Sequence, residues 1–154
     1  MTDAYELSVT RLIDAPPGAV WAIATERLTE WWCPRPWTTE IIAQEWRPGG
    51  RSAMILHGPD GEKHELEGVF LEVVPGKHFI TTDAFAVGWV PQKPFMTGLW
   101  EFAEEDGKTR YTARARHWTA EARDEHDTMG FTEGWTACAA QLAEIAEAEA
   151  AAAR

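Results

Sequence analysis

Only two cysteines occur among the 154 residues, Cys33 and Cys138, far apart and without C-x-x-C spacing. That excludes a disulfide framework and a zinc site. Both are expected to be free thiols, Cys138 in the core. No run of about 18 apolar residues exists, which excludes a membrane-spanning helix. Basic side chains are scarce, 14 against 25 acidic, for a net charge of -11. Phosphate backbones and anionic lipid would be repelled, so neither nucleic acid nor a membrane is expected as a partner. The opening residues Met1-Thr2-Asp3-Ala4-Tyr5-Glu6 lack the basic and apolar regions of a signal peptide, and the expected location is the cytoplasm. None of the five histidines pairs with another at metalloprotease or finger spacing. No metal and no cofactor are expected.

Tryptophan is abundant: nine, beside six phenylalanines and two tyrosines. So many indoles either pack an ordinary core or wall a cavity. The longest patterned stretch is C-terminal, residues 128–150. Phe131, Trp135, Cys138, Leu142 and Ile145 recur there at spacings of four and three. At about 100° per residue they fall within an arc of roughly 80°. Such a stripe buries one side of a helix and leaves Glu133, Glu144 and Glu147 wet. Gly130 and Gly134 lie inside the pattern, and each costs a helix about 1 kcal/mol relative to alanine. Something should therefore approach the backbone there, either a packed strand or a bound molecule. Residues 146–154 read as an alanine–glutamate tail that frays.

Strands are expected ahead of that helix. Residues 5–13 alternate, with Tyr5, Leu7, Val9 and Ile13 opposite Glu6, Ser8 and Thr10. Pro16 and Pro17 then open a short helix through Val20, Trp21, Ile23 and Ala24. A second short helical piece spans residues 26–32, and Pro34 and Pro36 stop it. Further strands are expected over 38–46, 52–57, 64–74, 78–85, 96–102 and 109–117, divided by glycine- and proline-rich turns. A phase change near Gly68 predicts a bulge. In the last strand Arg110, Thr112, Arg114 and Arg116 point to solvent, while Tyr111, Ala113, Ala115 and His117 point inward. Small inward residues leave room for the helix or for a cavity. Thr119 before Glu121 marks a helix start, followed by a polar stretch to Asp127.

The order is strand, two short helices, six strands, long helix, without repeat, linker or internal boundary. One α+β domain over residues 1–154 is expected. A seven-stranded antiparallel sheet needs its apolar face covered. One helix covers only part, so the curved sheet should wrap around it and leave a cavity between them.

Several stretches carry a resemblance in their order and spacing: Ala15-Pro16-Pro17 with Val20-Trp21, Glu30-Trp31-Trp32, Arg47-Pro48-Gly49-Gly50 and Gly58-Pro59-Asp60-Gly61. They continue with Gly68 to Pro75, Pro94-Phe95-Met96-Thr97, Thr109-Arg110-Tyr111, His117-Trp118 to His126, Met129-Gly130-Phe131 and Gly134-Trp135. The chain resembles the helix-grip fold of the START-like, or SRPBCC, superfamily. Within it, the chain is similar to bacterial single-domain proteins related to the C-terminal domain of the activator of heat-shock protein 90 ATPase. The resemblance covers nearly the whole chain, so the additional N-terminal domain of the eukaryotic co-chaperone is expected to be absent. The superfamily it implies includes lipid and hormone binders, aromatase/cyclases, ring-hydroxylase subunits and co-chaperone domains.

Expected ligand-contacting residues are Trp32, Met54, Phe85, Trp89, Phe95, Met96, Trp100, Tyr111, His117, His126, Phe131, Gly134 and Trp135. Trp100 and Trp135 also suit ordinary core, whereas Trp89 lies in a proline-flanked loop and suits a lid or an interface. His117 and His126, with Tyr111 as a donor, form a candidate acid/base set. The alternative is that both histidines bond backbone and fix the loop before the long helix. Glu65 and Glu67 suit a wet face, and the arginine row suits pairing with acidic neighbours. The first functional expectation is a binding protein for a hydrophobic or aromatic small molecule. The second is a cyclase or hydrolase acting on an aromatic polyketide-like substrate in the same cavity. The third is a co-chaperone-like interaction domain with a chaperone partner. A homodimer also stays open.

Overall fold

A computed structural model describes residues 5–154, so the reading of the first residues for a signal falls largely outside the described part. In chain order the elements are β1 (Glu6–Ile13), α1 (Pro17–Glu26), α2 (Leu28–Trp31), β2 (Thr38–Gln44), β3 (Arg51–His57) and β4 (Lys63–Val74). There follow β5 (His78–Thr82), β6 (Phe85–Ala86), β7 (Val90–Pro91), β8 (Thr97–Glu105), β9 (Lys108–Arg116), α3 (Ala120–Thr128) and α4 (Phe131–Ala152). Seven strands form one antiparallel sheet in the order β1-β9-β8-β5-β4-β3-β2. Helix α4 lies against β1, α1 and α2. This is the helix-grip arrangement, with two short helices after the first strand.

Local chemistry explains the boundaries. Pro17 occupies the first position of α1, where no amide hydrogen is needed and its φ already suits a helix. Thr119 caps α3, its hydroxyl accepting the Ala122 N–H at 3.0 Å. The chain then reverses at Gly130, whose φ of 97° is left-handed. Gly130 is thus the joint between α3 and α4, not an interior residue of the long helix. Gly134 does lie inside α4. A Cβ there would stand 3.5 Å from Pro34, so what approaches that backbone is the loop after α2.

Two other expectations change. The bulge in β4 falls at Leu71, between the pairs Phe70↔Thr81 and Glu72↔Ile80. It lets Phe70 and Val73, three residues apart, both pack inward. Gly68 serves a different need, since a Cβ there would come within 2.2 Å of the Thr82 carbonyl oxygen. The fifth strand stops at Thr82, and Phe85–Ala86 pairs with Val90–Pro91 as a separate ribbon.

Ala146 is fully buried, and α4 continues to Ala152. Glu147 accepts the Asp14 backbone N–H at 3.0 Å, and Glu149 bonds Arg27 at 2.6 Å. On the outer face of β9 the arginines are paired. Arg114 bonds Glu101 at 2.7 Å and Glu6 at 3.0 Å, and Arg116 bonds Glu6 at 3.0 Å.

Candidate functional site

Helices α1 and α4 cover the β1–β9–β8 part of the sheet, burying Ile13, Phe102, Tyr111, Ala113 and Leu142. Strands β2, β3 and β4 extend past that cover. Between them and the helices lies a cavity of about 710 Å³, within the usual range for small-molecule sites. Alternation builds its sheet wall: Ser52, Met54 and Leu56 from β3, then His64, Leu66, Gly68 and Phe70 from β4. The opposite side carries Trp32, Pro34, His126, Met129 and Trp135.

The inner end of the cavity is aromatic. Phe79, Trp100 and Trp135 stack with centroids 4.9 and 5.6 Å apart and planes within 17° and 18°. Trp32 meets Trp100 and Trp135 edge-on at 5.9 and 5.3 Å. Offset stacking and edge-to-face contact are the arrangements the ring quadrupoles favour. The stack requires glycine at position 98, because a Cβ there would stand 2.5 Å from the Trp100 ring. Among the described residues, Trp100 Nε1 and Gln44 Nε2 are buried without a hydrogen-bond partner.

Two polar side chains hold the aromatic walls in place. Gln141, buried on α4, donates to the Trp31 and Cys33 carbonyls at 2.8 and 3.0 Å and accepts the Arg35 N–H at 2.9 Å. It fastens the loop carrying Trp32 and Pro34. Asp83 accepts the Phe95 and Met96 N–H groups at 2.8 and 3.2 Å, which sets both apolar side chains at the cavity. Burial raises the Asp83 carboxyl above its ordinary range, partly offset by those amides.

The histidines are joined. His117 Nδ1 lies 2.8 Å from the Tyr5 carbonyl oxygen, and His117 Nε2 lies 2.9 Å from His126 Nδ1. Phe95, Phe131 and Trp135 surround the His126 ring at 4.8, 5.1 and 6.0 Å. Burial, with His117 close by, pushes the His126 pKa down to about 4. Near neutrality His126 is therefore uncharged.

Of the residues expected from sequence, Trp32, Met54, Phe95, Met96, Trp100, His126 and Trp135 line the cavity. The others lie elsewhere. Tyr111 is sealed between Trp31 and Phe102, with rings 6.1 and 5.7 Å away, and burial raises its hydroxyl pKa. The space beside Ala113 and Ala115 is filled, since both are fully buried. His117 is one bond behind His126, and Phe131 packs on Trp135 at 4.5 Å behind the wall. Gly134 faces Pro34 without reaching the cavity. Phe85 and Trp89 belong to the outer ribbon, where Trp89 is 56% exposed and its indole lies across Gly49. The acid/base set of His117, His126 and Tyr111 thus presents only His126 to the cavity.

Sequence reading missed Trp46, Phe70 and Phe79, which line the site and pack together at 4.7 to 6.2 Å. Inward alternation was the available signal for Phe70 and Phe79, whereas Trp46 lies past the end of β2. It also missed Gln141, although a lone amide on the apolar side of a helix marks a buried polar task. Among the described residues no three His, Cys, Asp or Glu side chains gather to hold a metal ion.

Residues 14–147 match the family model described as Activator of Hsp90 ATPase homolog 1-like protein. A solved structure of a protein from Nitrosomonas europaea is 35% identical over 98% of this chain and 99% of its own, with a TM-score of 0.90. One from Mycobacterium smegmatis is 28% identical over 93% and 91%, with a TM-score of 0.78. The AHSA1 protein from Silicibacter pomeroyi, 19% identical over 94% and 99% at a TM-score of 0.70, shares the fold. No curated protein matches the chain.

Proposed function

The chain belongs to the family of activator of Hsp90 ATPase homolog 1-like proteins, and from that premise we propose that it binds a hydrophobic or aromatic small molecule between its sheet and α4. The observation that carries this reading is the cavity of about 710 Å³ with Trp32, Trp100 and Trp135 at its inner end. An apolar ligand entering it would displace water from rings already held in place, so little ordering is required of the protein. Titration of intrinsic tryptophan fluorescence against a library of hydrophobic metabolites, with native mass spectrometry, tests it. Saturable quenching with a matching mass adduct is expected; neither signal from any compound rejects the reading. A reducing cytoplasmic setting is part of it, supported by the free, buried thiols of Cys33 and Cys138.

One observation favours a second reading. Val87, Trp89 and Val90 leave an apolar tip on the outer ribbon, 47%, 56% and 56% exposed. Such a tip suits a protein contact. Pull-down with an Hsp90 chaperone, using Trp89→Ser as the control, separates this role from the cavity. No retention of the wild type, or equal retention of the variant, sinks it.

A further inference from the structure

We propose that His126 accepts a hydrogen bond from the cavity's ligand, and that this ligand is a neutral aromatic bearing a hydroxyl or N–H, a phenol rather than a phenolate or carboxylate. The inference rests on the reading of the cavity as a binding site and specifies what that site recognises.

Backbone chemistry dictates the proton positions. The Tyr5 carbonyl oxygen can only accept, so at 2.8 Å the His117 Nδ1 must carry the proton. Where that is the imidazole's one proton, Nε2 is bare, and the 2.9 Å contact has His126 Nδ1–H donating to it. Among the described residues, neither ring is hydrogen-bonded to a carboxylate that would hold a second proton. The remaining nitrogen of His126, Nε2, carries a lone pair. It lies on the ring edge turned away from His117, and His126 lines the cavity while His117 does not. Among the described residues Nε2 has no partner. A backbone carbonyl two links away thus presets a hydrogen-bond acceptor beside an aromatic enclosure.

Shape and charge agree with that polarity. Phe95 and Trp135 flank His126 at 4.8 and 6.0 Å, and the stacked Trp135 and Trp100 continue the apolar surface. A flat ring fits there with its hydroxyl toward His126. The carboxylates around the cavity are Glu65, Glu67 and Asp83, against Lys93 as the lining cation; Arg51 binds Glu67. An anion would meet an excess of negative charge.

Fluorescence titration near neutral pH with naphthol, its methyl ether and naphthoate tests the inference. The wild type should bind naphthol about tenfold tighter than the ether, the size of one good hydrogen bond, and naphthoate weaker than naphthol. His126→Phe keeps a flat ring in the enclosure and should erase the naphthol preference while retaining the ether. Equal wild-type affinities for naphthol and ether, or tighter binding of naphthoate, overturn the inference and leave the cavity-binding reading standing. Binding of none of the three overturns the inference as well, and the cavity-binding reading falls with it only if the wider library gives no signal either. Nitrogen NMR of the wild-type imidazoles decides the matter if the variant does not fold. An Nδ1–H tautomer at His126, with an Nε2 resonance that moves on adding naphthol but not the ether, is expected; an Nε2–H tautomer overturns the proposal.

Discussion

The two ends of the sheet share one antiparallel ladder and one alternation of side chains, yet they end in different states. Under α1 and α4, the inward residues Ile13, Tyr111, Ala113 and Ala115 are fully buried. On β3 and β4, Met54 and Leu56 remain half-buried and Leu66 is 44% exposed. Strand propensity does not separate them, because both ends alternate equally well. Cover does: a single long helix reaches one end, and the strands beyond it curve around open space. Stability is therefore concentrated where the helix packs on the sheet, and open space is left where the strands run past it.

A matched pair of truncations tests that division most severely. Leu142→Ala, on α4 and fully buried, should cost about 2–5 kcal/mol in urea unfolding. Leu66→Ala, on the cavity wall, should cost under about 1 kcal/mol. Equal losses would erase the contrast. Gln141 fastens the loop carrying Trp32 to α4, and Gln141→Leu should cost about 1–3 kcal/mol by leaving the Trp31 and Cys33 carbonyls unpaired. It should also weaken any ligand that quenches tryptophan; unchanged unfolding would show that water replaces the amide.

Acid probes the boundary more gently. An unfolded imidazole takes up a proton near 6.5, whereas His126 in the fold does so only near 4. Between those values the unfolded chain holds more protons, so stability falls as pH is lowered through that window, by on the order of 3 kcal/mol. The raised Asp83 carboxyl opposes this in part. The difference between wild type and His126→Phe isolates the histidine contribution, and parallel stability curves would refute it. The smallest effect on folding belongs to Met54→Trp, which fills open space. Stability should stay within about 0.5 kcal/mol while ligand affinity drops, measured by the same fluorescence titration.

Much of the architecture is readable in residue patterns. The outward arginines of β9 identify its inner face, and the apolar stripe from Phe131 to Ile145 identifies α4. Prolines 16 and 17 announce α1. The site is only half readable. Tyr111 and Met54 are both inward strand residues, and nothing near either one says that the first meets Trp31 and the second a void. Gly130 looks like an interior helical glycine because the apolar spacing starts immediately after it; only its left-handed φ of 97° shows a joint. His117 and His126 are readable as a polar pair, but their order of approach to the cavity is not.

Periodicity, turn residues and caps are local, and they suffice for the seven-stranded sheet, the short helices and the long one. Where α4 comes to rest is settled by contacts between residues more than a hundred positions apart, such as Gln141 with Trp31 and Glu147 with Asp14. That placement decides which indoles become core and which become wall. It also places His126, uncharged, beside the space that remains, because burial acts on a side chain only after distant segments have closed around it.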